Sequence, residues 1–592
     1  MSLLERQTLS FLLYDVLDIE SLCALDFYRD HNKESFEAAM DTAEQIAEQR
    51  FANHNEKGDQ NEPVLHQGQV EVIEEVRLAL DAYAEAGFLA GTQAYEQGGM
   101  QLPVSIMTAC MGYFTAANPS TTAYPFLTAA AARVIENFGD KTLQETYLEG
   151  MRSGEIFGTM ALTEPQAGSS LGDILTRAQP ISDGRYHIKG SKIFISGGDH
   201  QLSNNIVHLV LARLPDAPQG AKGISLFAVP KYRQESNGKR VANDVSLAGL
   251  FHKLGYRGTS SAALSFGEKD DCVGYLIGDP HQGLGYMFQM MNEARLGVGF
   301  SAAIIGYRGY LHSLDYAKNR PQGRHLGQET TPLQVNIVEH ADVKRMLLAQ
   351  KAYSEGAMAL CLLAAKQSDL ASQAADKSER QQAQVLLDLL TPMVKAWSAD
   401  YGTKANDLAI QVLGGAGYTR EYPVEQCWRD NRLNAIHEGT NGIQALDLLG
   451  RKLWQQDGLG IKLLAGMIEK QVQVAHQLEL AALAQPVVEI AGEVNRLIAE
   501  LAGKMRSAPQ MALSHANAFL NLLGHLVVAW LWLKQACVAQ ACVKERGDSA
   551  FYRGKIKTAR YFIEHELPAV KRDLAVLALS ANVCLEIQED EL

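Results

Sequence analysis

Three short stretches of this 592-residue chain carry residue types that could do chemistry together. Glu438-Gly439-Thr440 places one carboxylate directly ahead of an apolar, helically spaced run. A carboxylate at a helix entrance can cap it by accepting from backbone N–H groups that the first turn leaves unpaired. Held instead in an apolar pocket, where desolvation raises its pKa, the same carboxylate can serve as a general base. Upstream lies Leu162-Thr163-Glu164-Pro165-Gln166-Ala167-Gly168-Ser169, and downstream of it Gln411-Val412-Leu413-Gly414-Gly415-Ala416-Gly417-Tyr418. Taken alone, the glycines of the latter make a turn after a helix ending near Leu413. Gly283-Leu284-Gly285 lacks the third glycine of a dinucleotide fingerprint and follows no clear strand, which argues against a Rossmann-type site.

The elements that must position these residues change character twice. Residues 1–157 read as helical, with Ala and Leu at spacings of three and four. A turn-rich loop from Asn55 to Pro63 interrupts them. Residues 158–282 hold short β-rich runs: Tyr186 to Ile188, Lys192 to Ile195, Ile206 to Leu211 and Ile224 to Val229. Asp183-Gly184, Gly197-Gly198 and Pro230 punctuate them, which predicts an antiparallel barrel or sandwich. Residues 283–452 return to helix, with Met287, Met291 and Ala294 on one face of a long element and Val343, Leu347 and Tyr353 on the next. The polar stretch Lys366 to Gln382 reads as a connection between two antiparallel helices. Residues 453–592 form a further helical module with a break at Pro486 and punctuation near Pro509.

Bulk properties narrow the classes. With 47% hydrophobic content the chain can bury several cores, three or four domains in all. A net charge of −14 argues against nucleic acid as a main partner, because phosphate neutralisation needs excess Lys and Arg. Eight scattered cysteines without a C-x-x-C pair or a His/Cys cluster imply neither a disulfide framework nor a metal site. The first residues lack a basic flank and long apolar core, and Glu5, Asp15 and Glu20 oppose a transit peptide; a soluble cytoplasmic protein is expected. Phe519 to Val543 is apolar enough to suggest a membrane span, but Asn521, His525, Lys534 and Gln535 interrupt it. A buried core helix is the reading adopted, with peripheral membrane contact left open.

The three stretches, in this order, resemble the acyl-CoA dehydrogenase family, and the resemblance covers about residues 85 to 452. It implies a mainly α protein: a helical N-terminal domain, a middle antiparallel β-barrel and a helical bundle carrying the base. FAD is the implied cofactor. By position, Met160, Leu162, Thr163, Gly168 and Ser169 would lie along the flavin, with Phe194 and Ser196 of the Lys192 to Ser196 run beside its ring. Phe194 stands where Trp is common and cannot donate an indole N–H. Arg320 would meet the pyrophosphate, and Gln411, Gly414 and Gly415 the adenosine half, from a neighbouring subunit of a homodimer or dimer of dimers. Thr440 and Gly442 complete the cofactor set, with Gly442 departing from a frequent glutamine.

The implied reaction is α,β-dehydrogenation of an acyl-CoA to the trans-2-enoyl-CoA. Glu438 would take the α-proton while the β-hydrogen leaves to the flavin. Its own backbone N–H would help polarise the thioester carbonyl, a class of donor worth about 3–4 kcal/mol. Asn292, Arg295, Ser169, His437 and Gly439 are the implied substrate contacts. Some relatives take the base from the position before an arginine, here Ala294, so that option is closed, and Glu293 points about 100° away round the helix. His437 stands where Tyr is common; protonated it would depress the pKa of Glu438, neutral it would only shape the pocket.

The run from Phe551 to Phe562 resembles the C-terminal domain of the enlarged subfamily that includes 3-methylmercaptopropionyl-CoA and bacterial fatty acyl-CoA dehydrogenases. Its Arg553, Lys555, Lys557 and Arg560 read as either a solvated face or a patch for CoA phosphate or lipid headgroups. Fatty acid β-oxidation with an electron-transfer flavoprotein as acceptor is the expected setting. The alternatives are a methylthiopropionyl-CoA dehydrogenase, an acyl-CoA oxidase and a DNA-associated flavoprotein of the same superfamily.

Overall fold

The computed structural model describes residues 2–181, 184–234, 238–325, 327, 330 and 333–592, with Gln289 and Met290 described by backbone only. Asp183, read above as part of a turn, lies outside the described residues. The main elements, in chain order, are α1 (Lys33–Ile46), α2 (Glu74–Glu85), α3 (Val104–Ala117), α4 (Pro119–Phe138) and α5 (Lys141–Ser153). Strands β1 (Ile156–Ala161), β2 (Arg177–Pro180), β3 (Arg185–Ser196), β4 (Asn205–Arg213), β5 (Ile224–Pro230), β6 (Val245–Leu250), β7 (Ser261–Phe266) and β8 (Val273–Ile277) follow. Then come α6 (Gly283–Asn319), α7 (Ala341–Gln373), α8 (Lys377–Leu413), α9 (Val424–Leu433) and α10 (Asn441–Gly450). The chain ends with α11 (Leu459–Gln477), α12 (Ala481–Ser507), α13 (Ala516–Arg546) and α14 (Ala550–Tyr561).

The chain divides into two compact units. One comprises residues 34–102 and 113–294, the other residues 1–33, 103–112 and 295–592. In the first, helix boundaries follow local chemistry. Asn118 caps α4 by accepting from Thr121 N–H, Pro119 sits in the first turn where a missing N–H costs nothing, and Asp140 caps α5 through Leu143 N–H. The sheet is antiparallel except where β1 and β2 each run parallel to β4. Pairings β3–β8, β8–β5, β5–β4, β4–β2 and β2–β3 close a ring, the barrel that the short β runs predict. The runs at Tyr186 and Lys192 are one continuous strand, because β3 passes from β8 and β2 at its start to β7 at its end. Strand β5 is buried along its whole length.

Two N-terminal readings need adjustment. Val64–His66 and Gln69–Glu71 form a small antiparallel hairpin within the segment read as helical throughout. Asn55–Gln60, read as loop, is a short helix.

In the second unit α7 and α8 pack along each other, and α13 packs on α7, α8 and α10. The polar stretch from Lys366 is not a connection: α7 runs to Gln373 and α8 starts at Lys377. Its polar groups are spent internally. Lys366 Nζ donates to the carbonyls of Leu17 and Asp18. Asp369, fully buried, accepts from Tyr28 Oη at 2.9 Å and from Val104 and Ser105 N–H at 2.6 and 3.1 Å, satisfying the opening turn of α3. Likewise α12 continues through Pro486, and the chain instead breaks before it, at Glu479 with φ +64°.

The C-terminal module is locked onto the bundle. A Cβ on Gly524 of α13 would sit 2.6 Å from the Trp397 ring, and one on Gly356 of α7 would sit 2.7 Å from Val528, so both glycines permit close helix approach. Trp532 donates to the Ala352 carbonyl at 3.0 Å, and Trp397 to His525 Nδ1 at 3.2 Å. Helix α13 is long and apolar enough to cross a membrane, yet 72% of its apolar window is buried inside the protein. It is a core helix, as its interrupting polar residues imply.

Three of the four basic residues on α14 pair with acidic groups. Lys555 is buried and donates to Glu355 Oε2 at 2.7 Å, alongside Lys351 to Glu355 Oε1 at 2.6 Å. Arg553 pairs with Asp548, and Arg560 with Glu564. A patch built on Lys555 for phosphate or headgroups is therefore ruled out; this lysine is a structural charge.

Candidate active site

Glu438 sits in the connection between α9 and α10, and it does not cap the helix. Thr440 holds that position, its hydroxyl accepting from Ile443 N–H at 3.4 Å. Glu438 itself adopts φ +54° and the following Gly439 φ +84°. A glutamate rarely enters this left-handed region, and such strain persists only where surroundings hold it. Gln444, fully buried on α10, does part of the holding: its Nε2 donates to the carbonyls of Glu438 and Gly439 at 3.2 and 3.4 Å.

The carboxylate that this turn presents is unusual. Glu438 Oε2 is buried and has no hydrogen-bond partner among the described residues. Burial raises its pKa above the ordinary value, and the charges of Arg295 and Lys395 draw it back only in part. A buried carboxylate oxygen left without a donor is poised to accept a proton. Arg295, on α6, is not a solvated helix-surface residue. It is 2% exposed and its Nη1 lies 3.5 Å from Asp447 Oδ2 of α10. His437 Nε2 meets the side-chain carbonyl of Asn434 at 3.1 Å. Burial, then Lys395, push its pKa down to about 3, so the imidazole is neutral and shapes the pocket. Glu293 is engaged elsewhere, with Arg133 at 2.6 Å.

Sequence reasoning missed Lys395 and Gln444. Both are buried polar residues on helices that otherwise read as apolar core, and Lys395 stands 43 positions from Glu438. A polar residue at a position of the apolar helical pattern is the signal each offers.

In the other unit the structure gathers the residues assigned to the flavin ring. Ile193 N–H donates to the Thr163 carbonyl at 2.9 Å, and Lys192 Nζ to the Leu162 carbonyl at 3.0 Å. Lys192 also pairs with Glu164 at 2.8 Å, both almost fully buried. Burial alone would raise Glu164. Lys192, the Leu175 N–H and Thr176 outweigh it and bring the carboxyl down to about 2. Glu164 and Lys192 thus fasten the Thr163 segment to β3. There, Ala262 faces Ile195 and Leu264 faces Lys192, so Ile193 and Phe194 together oppose Ala263 as a β-bulge. The bulge turns Phe194 to φ +59° and leaves the residue 59% exposed, its ring packed against Phe251 at 4.4 Å between centroids. An exposed aromatic on a re-aimed strand next to backbone polar groups fits a flat heteroaromatic ligand. Met160 lies buried in β1, Ser196 ends β3 half-buried, and Gly168 and Ser169 are exposed. Asn292 is half-buried.

Arg320 is exposed just after α6, and Gln411, Gly414 and Gly415 are exposed at the end of α8. A Cβ on Gly414 or Gly415 would meet nothing within 4 Å, leaving open backbone of the kind that accepts phosphate. These residues and Glu438 lie on separate elements; Gly442 is in the first turn of α10, two residues after Thr440.

Comparison with known proteins places the chain. Sequence models of the acyl-CoA dehydrogenase N-terminal, middle and C-terminal domains match residues 33–155, 159–268 and 281–453, and one described as acetyl-CoA dehydrogenase C-terminal like matches 464–588. The 3-methylmercaptopropionyl-CoA dehydrogenase of Ruegeria pomeroyi is 36% identical across 92% of each chain. The broad-specificity linear acyl-CoA dehydrogenase FadE5 of Mycobacterium tuberculosis is 32% identical across 98% of each. A crystal structure of an acyl-CoA dehydrogenase complexed with FAD from Bacillus anthracis superposes with a TM-score of 0.72 at 19% identity, covering 98% of this chain and 93% of its own. The chain belongs to the acyl-CoA dehydrogenase family, in its branch with an added C-terminal helical domain, and is an FAD-dependent oxidoreductase acting on acyl-CoA thioesters.

Proposed function

We propose that Glu438 is the catalytic base of an acyl-CoA dehydrogenation in fatty acid β-oxidation, with straight-chain acyl-CoAs as substrates. The observation that carries this is the buried Glu438 Oε2 without a hydrogen-bond donor, on a turn strained at φ +54°. Glu438 takes the α-proton, and its backbone N–H polarises the thioester carbonyl on which negative charge grows. The FAD, when bound, accepts the β-hydrogen with its electron pair. Met160, Leu162, Thr163, Gly168, Ser169, Phe194 and Ser196 hold its ring, and Arg320, Gln411, Gly414, Gly415, Thr440 and Gly442 the remainder. Ser169, Asn292, Arg295, His437 and Gly439 serve the substrate, with Arg295 also placing positive charge beside the base.

The wider setting belongs to the same reading. The chain works in the cytoplasm as a homodimer or dimer of dimers and passes electrons to an electron-transfer flavoprotein. Its four segments, 1–157, 158–282, 283–452 and 453–592, act as domains. A methylthiopropionyl-CoA dehydrogenase is the second reading, favoured by the similarity to the Ruegeria pomeroyi protein.

Anaerobic titration of the flavin absorbance with acyl-CoAs from short to long, and with methylthiopropionyl-CoA, tests both. Rapid bleaching by straight chains supports the first reading, and bleaching by methylthiopropionyl-CoA alone supports the second. Bound FAD that no acyl-CoA bleaches would contradict them together, and peroxide formation on aerobic turnover would make the protein an oxidase.

A further inference from the structure

We propose that Lys395, which belongs to none of the motifs above, is a positioning residue for the Glu438 carboxylate. From α8 it tethers the turn that carries Glu438 and, with Arg295, supplies the positive charge that favours the ionised carboxylate. The inference rests on Glu438 being the base and adds what sets its protonation.

The tether is explicit. Lys395 is fully buried, and its Nζ donates to Asn441 Oδ1 at 3.1 Å. Asn441 is the first residue of α10, three positions beyond Glu438. Its Nδ2 donates back to α8, to Asp400 Oδ1 at 2.7 Å and to the Ala396 carbonyl at 3.3 Å. Its backbone N–H closes on the Ala435 carbonyl at 3.1 Å, so the strained turn is gripped on both sides of Glu438. One side chain of α10 is thus bound at both ends by α8, and Lys395 is one of those ends.

Two cations act on the Glu438 carboxylate. The charged groups around Glu438 are Arg295 from α6, Lys395 and Asp400 from α8, and Asp447 from α10, while His437 on its own connection is neutral. Arg295 stands 3.5 Å from Asp447, which Arg451 holds more closely at 2.7 Å, and it is the larger of the two charges acting on Glu438, with Lys395 the second. Lys395 instead donates to a neutral amide, and Asp400 reaches that amide through its other end. Glu438 is the strongest attractive charge acting on Lys395, ahead of Asp400. Burial pushes the ammonium down to about 7, so it carries its charge in the acid range where Glu438 would otherwise take up a proton.

The test is the pH dependence of anaerobic flavin reduction by a good acyl-CoA substrate, in the full-length FAD-loaded protein. Lys395→Met keeps the stem and removes the charge. Without that cation the carboxylate is less stable, so its pKa rises and the acid limb moves up by about one pH unit. Lys395→Arg, which keeps a charge there, leaves the limb near its wild-type position. A Lys395→Met enzyme with altered melting temperature or flavin content but an unmoved limb would show a merely structural lysine and overturn the inference. If that variant does not accumulate, Lys395→Gln retains a donor for Asn441 and is read the same way, with an unmoved limb again decisive. Failure of the wild type to be reduced at all would remove the base assignment itself, whereas wild-type reduction lost in Glu438→Gln and an unmoved limb in Lys395→Met would remove only this step.

Discussion

At the scale of single residues, the chemistry turns on one acidic oxygen, Glu438 Oε2, left without a donor among the described residues. Because burial raises the Glu438 pKa, its basic form is present above that value and lost as pH falls. Flavin reduction is expected to decline on acidification, to follow one ionisation on that side, and to do so in single-turnover measurements free of product release. Gly439 gives a sharper test. Its φ of +84° suits glycine, and an added Cβ would lie 2.8 Å from Gln444 Nε2, which steadies the same turn. Gly439→Ala is expected to slow reduction by roughly 10- to 100-fold with FAD still bound, since small displacements of a base cost that much; an unaltered rate constant would show the turn to be tolerant. Glu438 was legible in sequence because Glu-Gly-Thr ahead of an apolar helix is a local pattern. Lys395, Gln444 and Asn441 were not, because what makes them matter is which helix they face, and that is set by packing.

The elements show where reading by segment works and where it fails. The return to helix at Gly283 and the helix end at Leu413, followed by Gly414 at φ +61°, are visible in the sequence. The merging of two β runs into β3 was hidden, since a strand that changes partners keeps no single alternation. Polar residues misled in α7 for the opposite reason: Lys366 and Asp369 are spent on backbone groups hundreds of positions away, so they looked like loop. Two substitutions probe the elements. Lys192→Met leaves Glu164 buried without its cation and releases the Leu162 carbonyl, so FAD affinity should fall at least tenfold with the Glu438 turn untouched; equilibrium dialysis of flavin measures it. Glu355→Ala strands Lys351 and Lys555 in the core, and breaking a buried pair of this kind costs about 3–5 kcal/mol. Thermal unfolding should fall accordingly, and a change below about 1 kcal/mol would place the two lysines in solvent.

Across the whole molecule, the added C-terminal module is part of the second unit's core: α13 lies against α8, which carries Lys395, and against α10, which follows the Glu438 turn. Its apolar run was readable as a span or a core helix, and only the partners Trp397, Ala352 and Tyr401 decide for the core. Acid sensitivity follows from burial spread over both units. His200 and His208 are pushed down to about 3, and His525 to about 4, chiefly by burial. An unfolded histidine titrates near 6.5, so between that value and the folded pKa the unfolded chain binds more protons. The stability of the neutral buried imidazoles is present above about pH 6.5 and lost as pH falls, roughly 1 kcal/mol for each by pH 5.5. Asp369, raised to about 6 by burial, acts in the opposite direction, as do the raised carboxyls of Glu438, Asp400 and Asp573, while His312 and His437, both pushed down to about 3, add to the other imidazoles. Melting temperature should drop between pH 7 and 5 and change little between 7 and 8; a flat profile would mean that these imidazoles reach water.

The central claim is that Glu438 removes the substrate proton, and the most direct measurement is stopped-flow, anaerobic flavin bleaching by one acyl-CoA in wild type and Glu438→Gln. The amide keeps the shape and cannot accept the proton, so the variant should retain yellow FAD and bleach at least about a hundredfold more slowly. Bleaching of Glu438→Gln at close to the wild-type rate would contradict the account, since the base would then be another group.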